Sequence, residues 1–105
     1  MKDKRVLNAI GMCRRAGKLG IGADAALDGI RHGAPAVVMA SDISEGTRSR
    51  IAGKCGRTKI IELGCTMDEI EETVGRRFAV ASINDENLAR AVMIALNREE
   101  IADAD

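Results

Sequence analysis

Three short apolar runs, PAVVMA (35–40), TKIIEL (58–63) and FAVASI (78–83), recur along the chain, with helix-period segments between them and at either end. Runs of this length, bounded by turn residues, read as buried strands. Strands that alternate with helices build a sheet covered by helical layers. The first run starts at Pro35, where the missing N–H matters least. Within 4–16, Val6, Leu7, Ile10 and Cys13 share one helical side, and Gly17 ends the segment. Ala23, Ala26, Leu27 and Ile30 repeat the pattern up to Gly33. Ser44 is placed to cap a helix through Cys55, with Thr47, Ile51 and Cys55 inward. Thr66 and Glu69 form a T-x-x-E capping box before Met67, Ile70 and Val74. Asn84 is expected to cap a last helix carrying Leu88, Ala91, Val92 and Ala95. The order is helix, helix, strand, helix, strand, helix, strand, helix.

A chain of 105 residues is one domain long, and a 46% apolar share makes it globular. Its core must come from Ala, Val, Ile, Leu and Met, because it has one Phe and neither Trp nor Tyr. The same scarcity removes the aromatic platforms on which many single-strand binders stack bases. Net charge is zero, yet residues 1–60 carry twelve Lys/Arg against five Asp/Glu, and residues 61–105 carry four against eleven. Such a split hints at one basic and one acidic face. Cys13, Cys55 and Cys65 are odd in number, lack a C-x-x-C spacing and sit at or beside apolar stretches, as reduced, mostly buried thiols of a cytoplasmic protein do. No stretch approaches the ~18 apolar residues of a membrane span, and the first residues lack a signal-peptide apolar run.

Catalytic and metal-binding patterns are weak. His32, the one histidine, stands just before Gly33, where it can cap helix carbonyls. One His and scattered Cys make no zinc site, and no Ser-His-Asp or Cys-His arrangement stands out. The acidic run Asp68, Glu69, Glu71 and Glu72 lies at a helix start, where carboxylates suit the dipole. A phosphate-binding P-loop fails twice: five residues separate Gly11 from Gly17-Lys18 where four are needed, and Leu19 replaces the magnesium-binding hydroxyl. GIGADA (20–25) fits the dinucleotide pattern G-x-G-x-x-G/A, with Asp42 22 residues beyond Gly20, but the segment before it reads as helix end and turn.

The stretches CRRAGKL (13–19), IRHGAPAVVMASDISEGTRSRI (30–51) and MDEIEETVGRR (67–77) together resemble the L-seven-Ae / L-thirty-e ribosomal-protein superfamily of kink-turn RNA binders, and within it the bacterial YlxQ type. The resemblance spans about residues 7–97. It is carried by Arg15-Ala16-Gly17-Lys18-Leu19, the Ala40-Ser41-Asp42-x-Ser44-Glu45 turn and the Gly33-x-Pro35-x-x-Val38-x-Ala40 approach to that turn. It implies an α/β fold, a three-layer α/β/α sandwich with a small mixed sheet of about four strands, one of them a short strand near Lys18–Ile21. It implies an RNA-binding domain over 1–98, and 99–105 is expected to be an acidic, disordered tail. It also implies a non-enzyme that needs no cofactor, with structured RNA as partner: ribosomal RNA or another kink-turn RNA, and through it the ribosome. A monomer is the expected state.

In that superfamily three loops at one end of the sandwich meet the RNA, and they map to Gly20–Ala25, Asp42–Glu45 and Gly75–Phe78. The residues that match are Gly20, Gly22, Ala23 and Asp24 for backbone approach and base contact. Arg14, Arg15, Lys18, Arg76 and Arg77 are assigned to phosphates, and Asp42 and Ser44 to the middle loop. Glycine lets backbone approach closely, and a helix opening near Ala23 offers free N–H groups to an anion. The first loop of the superfamily reads G-x-N-E-x-x-K, whereas here Gly22 is followed by Asp24, Ala25 and Asp28 at the last three positions. Asp only accepts hydrogen bonds where Asn also donates, and Asp28 replaces a cation with an anion. Two alternatives stay open from the residues: a protein-interaction scaffold on the same fold, and a small dinucleotide-binding enzyme using GIGADA.

Overall fold

The computed structural model describes residues 4–104, with side chains through residue 98. Nine elements follow one another: α1 (Lys4–Arg15), β1 (Leu19–Ile21), α2 (Ala23–Arg31), β2 (Ala36–Met39), α3 (Glu45–Cys55), β3 (Lys59–Glu62), α4 (Met67–Val74), β4 (Val80–Ile83) and α5 (Glu86–Ala104). The expected acidic tail falls on α5 and Asp105, and its side chains lie outside the described residues.

The strands form one mixed sheet in the order β1-β4-β2-β3. β4 runs antiparallel to both β1 and β2, and β2 runs parallel to β3. All four residues of β2 and of β4 are buried, because helices cover both faces of the sheet. The strand period of two then sorts side chains. Ala36, Val38, Ala81 and Ile83 pack with α1, α4 and α5 through Val6, Leu7, Ile10, Ile70 and Val92. Val37, Met39 and Val80 pack with α2 and α3 through Ala26, Ile51 and Cys55. This is the expected α/β/α sandwich. β3 is an edge strand and carries exposed Lys59 and Glu62, charges that discourage further pairing.

Local signals set the helix ends. Thr66 Oγ1 accepts from the Glu69 N–H while the Glu69 carboxylate accepts from the Thr66 N–H, the full capping box. Ser44 Oγ accepts from the Thr47 N–H at 3.2 Å. His32 Nδ1 donates to the Asp28 carbonyl at 2.8 Å, and Gly33 turns the chain with φ of 84°. The last helix differs from expectation: Asp85 caps it, its Oδ2 accepting from the Leu88 N–H at 2.9 Å. Asn84 is still held by the sheet, its N–H donating to the Lys18 carbonyl at 2.8 Å. All three cysteines are buried and unbridged. Among the described residues, no helix is long and apolar enough to cross a membrane.

Candidate functional site

Register decides which loops meet. β1 hands over to Gly22, whose N–H donates to the Val80 carbonyl at 2.9 Å. Met39 at the end of β2 pairs with Val80 at the start of β4, and the Ala40 N–H donates to the Ala79 carbonyl at 2.8 Å. The Ser41 N–H donates to the Cys65 carbonyl at 2.8 Å. The turns after β1, β2 and β3 and the turn before β4 therefore lie along one end of the sheet. Gly22, Ala23, Asp24, Asp42, Ser44, Arg76 and Arg77 come together there from three segments.

Other expected site residues lie elsewhere. Lys18 sits at the opposite end of β1, its carbonyl bonded to Asn84 beyond the far end of β4. Four strand steps separate it from Gly22, about 13 Å. Gly20 is in the middle of β1, and a Cβ there would overlap Ser82 Oγ and come within 3.2 Å of the Ala25 carbonyl oxygen. Its bareness lets α2 lie close on the sheet. Gly22 does face the loop end, and its φ of 97° is a conformation that favours glycine. Arg14 and Arg15 close α1, and Arg14 Nη1 donates to the Val74 carbonyl at 3.3 Å, beside the Gly75–Arg77 turn.

Helix α2 starts at Gly22 without a side-chain cap, so its first N–H groups point outward from the loop end. The side chains around it are partly committed. Asp42 Oδ1 accepts from the Met67 N–H at 2.9 Å, so it braces α4 across 25 residues of sequence instead of capping α3. Ser44 caps α3 and donates to Thr47 Oγ1 at 2.9 Å. Arg77 is paired with Asp68 in close contact. Arg76 is exposed, and no hydrogen bond or ion pair holds it among the described residues. Asp24 lies 3.6 Å from Arg50 Nη2. Arg50 was not legible as a site residue: it is one of two arginines in TRSRI (47–51), and only the packing of α3 beside α2 brings it to Asp24.

The dinucleotide reading loses its frame here. The fingerprint requires a parallel β-α-β unit with adjacent strands. β1 is instead a three-residue edge strand, and antiparallel β4 separates it from β2. A polar cavity of about 690 Å³ lies on the α2 flank, lined by Asp28, His32, Asn84 and Glu86 among others and by none of the expected phosphate-contacting arginines. No cluster of three or more metal-ligating side chains occurs among the described residues.

No family model matches the chain, and no curated protein matches it. Solved structures do. A protein with unknown function from Bacillus halodurans C is similar with a TM-score of 0.81 and 20% identity over 89% of this chain and 97% of that one. The Giardia lamblia 15.5kD RNA binding protein is similar with a TM-score of 0.71 and 18% identity over 95% of this chain and 88% of that one. At these identities the likeness is one of fold.

Proposed function

We propose that this chain is a non-catalytic RNA-binding protein of the L-seven-Ae / L-thirty-e type, a bacterial, cytoplasmic relative of the YlxQ group that recognises a kink-turn or similarly bent structured RNA in ribosomal or other RNA. The observation that carries the reading is the convergence at one end of the sheet of an uncapped α2 N-terminus, the Asp42–Ser44 turn and the Arg76–Arg77 turn. The fold shared with the Giardia RNA-binding protein supports it.

A kink-turn is a sharp bend in duplex RNA closed by sheared G·A pairs. It opens guanine edges and crowds phosphates. The N–H groups at the start of α2 and the positive end of its dipole suit those phosphates. The Asp24 carboxylate can accept from guanine N–H groups. Arg14, Arg76 and Arg77 border the same end as cations. Lys18 stands about 13 Å off along β1 and is assigned no contact with the kink. Recognition of this kind reads shape with a few hydrogen bonds and needs no aromatic side chain.

The test is a titration against a kink-turn duplex and a control duplex with its G·A pairs replaced by Watson–Crick pairs, each at low and physiological salt. The proposal expects tight binding to the first that weakens with salt, and weaker binding to the second. Equal, weak binding to both would end the kink-turn reading. It would favour the scaffold alternative, to which the exposed Asp24 and the acidic start of α4 at Asp68 and Glu69 are suited.

A further inference from the structure

We infer that Arg50 is an RNA-contacting residue of this face and that Asp24 is its positioning partner; the inference rests on the RNA-binding reading above. Arg50 is on α3, and its Nη2 lies 3.6 Å from Asp24 Oδ1 on the first turn of α2. That separation is an ion pair longer than a hydrogen bond, so the guanidinium fork keeps its donors. The contrast with Arg48–Glu62 and Arg77–Asp68 is direct: those pairs are in close contact. The Arg50 side chain is 56% exposed and that of Asp24 97%, so the pair is open to solvent.

Charge gives the pair a purpose. A bare carboxylate next to an uncapped helix start would repel the phosphates that the helix start attracts. With Arg50 beside it, the pair is close to neutral and presents a planar cation at the edge of the α2 N-terminus. One edge of the guanidinium faces Asp24, and the other can take a phosphate oxygen pair, the geometry for which arginine is suited. Asp24 then fixes where that fork points, while the rest of its carboxylate stays open to a guanine edge. An exposed pair of this kind adds little to folding, so its variants will fold.

The sign of one substitution separates this role from simple repulsion. If Asp24 only obstructs phosphate, Asp24→Asn tightens binding. If it positions Arg50, Asp24→Asn weakens binding. We would titrate wild type, Arg50→Gln, Asp24→Asn, the double variant and Arg50→Lys against the kink-turn duplex at 50 and 200 mM salt, after thermal melts show that all are folded. Arg50→Gln is expected to weaken binding about 10-fold. It should also narrow the ratio of affinities between the two salts by about 3-fold, as for one lost phosphate contact. Asp24→Asn should weaken binding in the same direction, the double variant should be no weaker than Arg50→Gln, and Arg50→Lys should recover part of the loss. Wild-type affinity in Arg50→Gln, or tighter binding in Asp24→Asn, overturns the inference while leaving the RNA-binding reading intact. A wild-type protein that binds neither duplex overturns both.

Discussion

Ser82 shows how single atoms set the spacing of this sandwich. Its Oγ is fully buried and has no hydrogen-bond partner among the described residues. A Cβ at Gly29 would overlap that Oγ and lie 2.7 Å from Asn84 Oδ1 and 2.8 Å from Ser82 Cβ. α2 can therefore rest on β4 only with glycine at this point. Gly29→Ala is expected to destabilise the protein by about 1–3 kcal/mol in urea unfolding, overpacking outweighing alanine's better helix propensity. Ser82→Ala, which removes an unsatisfied hydroxyl, should leave stability unchanged or raise it by about 1 kcal/mol. A loss of stability in Ser82→Ala would mean that the hydroxyl has a partner after all. Cys13 offers a second test. Burial pushes its thiol up from 9.0 to about 11, so the folded state holds a proton that the unfolded state releases between those values. Stability from this group is complete below pH 9 and is lost as pH rises toward 11. The slope of stability against pH in that window should flatten in Cys13→Ala, whatever that substitution costs at neutral pH.

Helix ends divide what the sequence discloses from what it hides. The N-cap at Ser44, the capping box at Thr66–Glu69 and the stop at Gly33 use partners within a few residues, so they are legible. The sequence pattern places the cap of α5 one residue early, because the choice between Asn84 and Asp85 depends on where sheet pairing stops. The bond from the Asn84 N–H to Lys18 settles it, and that partner is 66 residues away. Asp85→Ala is accordingly expected to cost about 1 kcal/mol, with Asn84→Ala costing less in the same unfolding assay. Equal costs would mean the two share the cap. Asp42 is a similar case, since its bond to the Met67 N–H joins two turns that only strand register brings together. β1 was expected only through the family resemblance: its three residues include a glycine and make no apolar run long enough to read as a strand.

At the scale of the molecule, helix packing explains why the charge split along the chain does not sort onto the two faces of the sheet. α1, from the basic part of the sequence, packs against α4 and α5 from the acidic part. Opposite charges from the two parts also meet on the other side of the sheet, in the Arg48–Glu62 pair between α3 and β3. What matters for an RNA ligand is then which cations the register leaves at the loop end. Arg76 stands in the turn before β4 with no hydrogen bond or ion pair among the described residues, Arg77 is held by Asp68, and Lys18 is at the other end of β1. A position about 13 Å from Gly22 along the strand is beyond the ~8 Å screening length at physiological salt. Alanine substitutions should therefore rank in a defined order in the kink-turn titration. Arg76→Ala should weaken binding and lower the slope of log affinity against log salt by about one unit. Arg77→Ala should do so to a smaller degree, because Asp68 already draws on its charge. Lys18→Ala should stay within about 2-fold of wild type at physiological salt. If Lys18→Ala instead matched Arg76→Ala in both affinity and slope, the RNA would have to extend along the whole of β1, and the loop end alone would no longer account for binding.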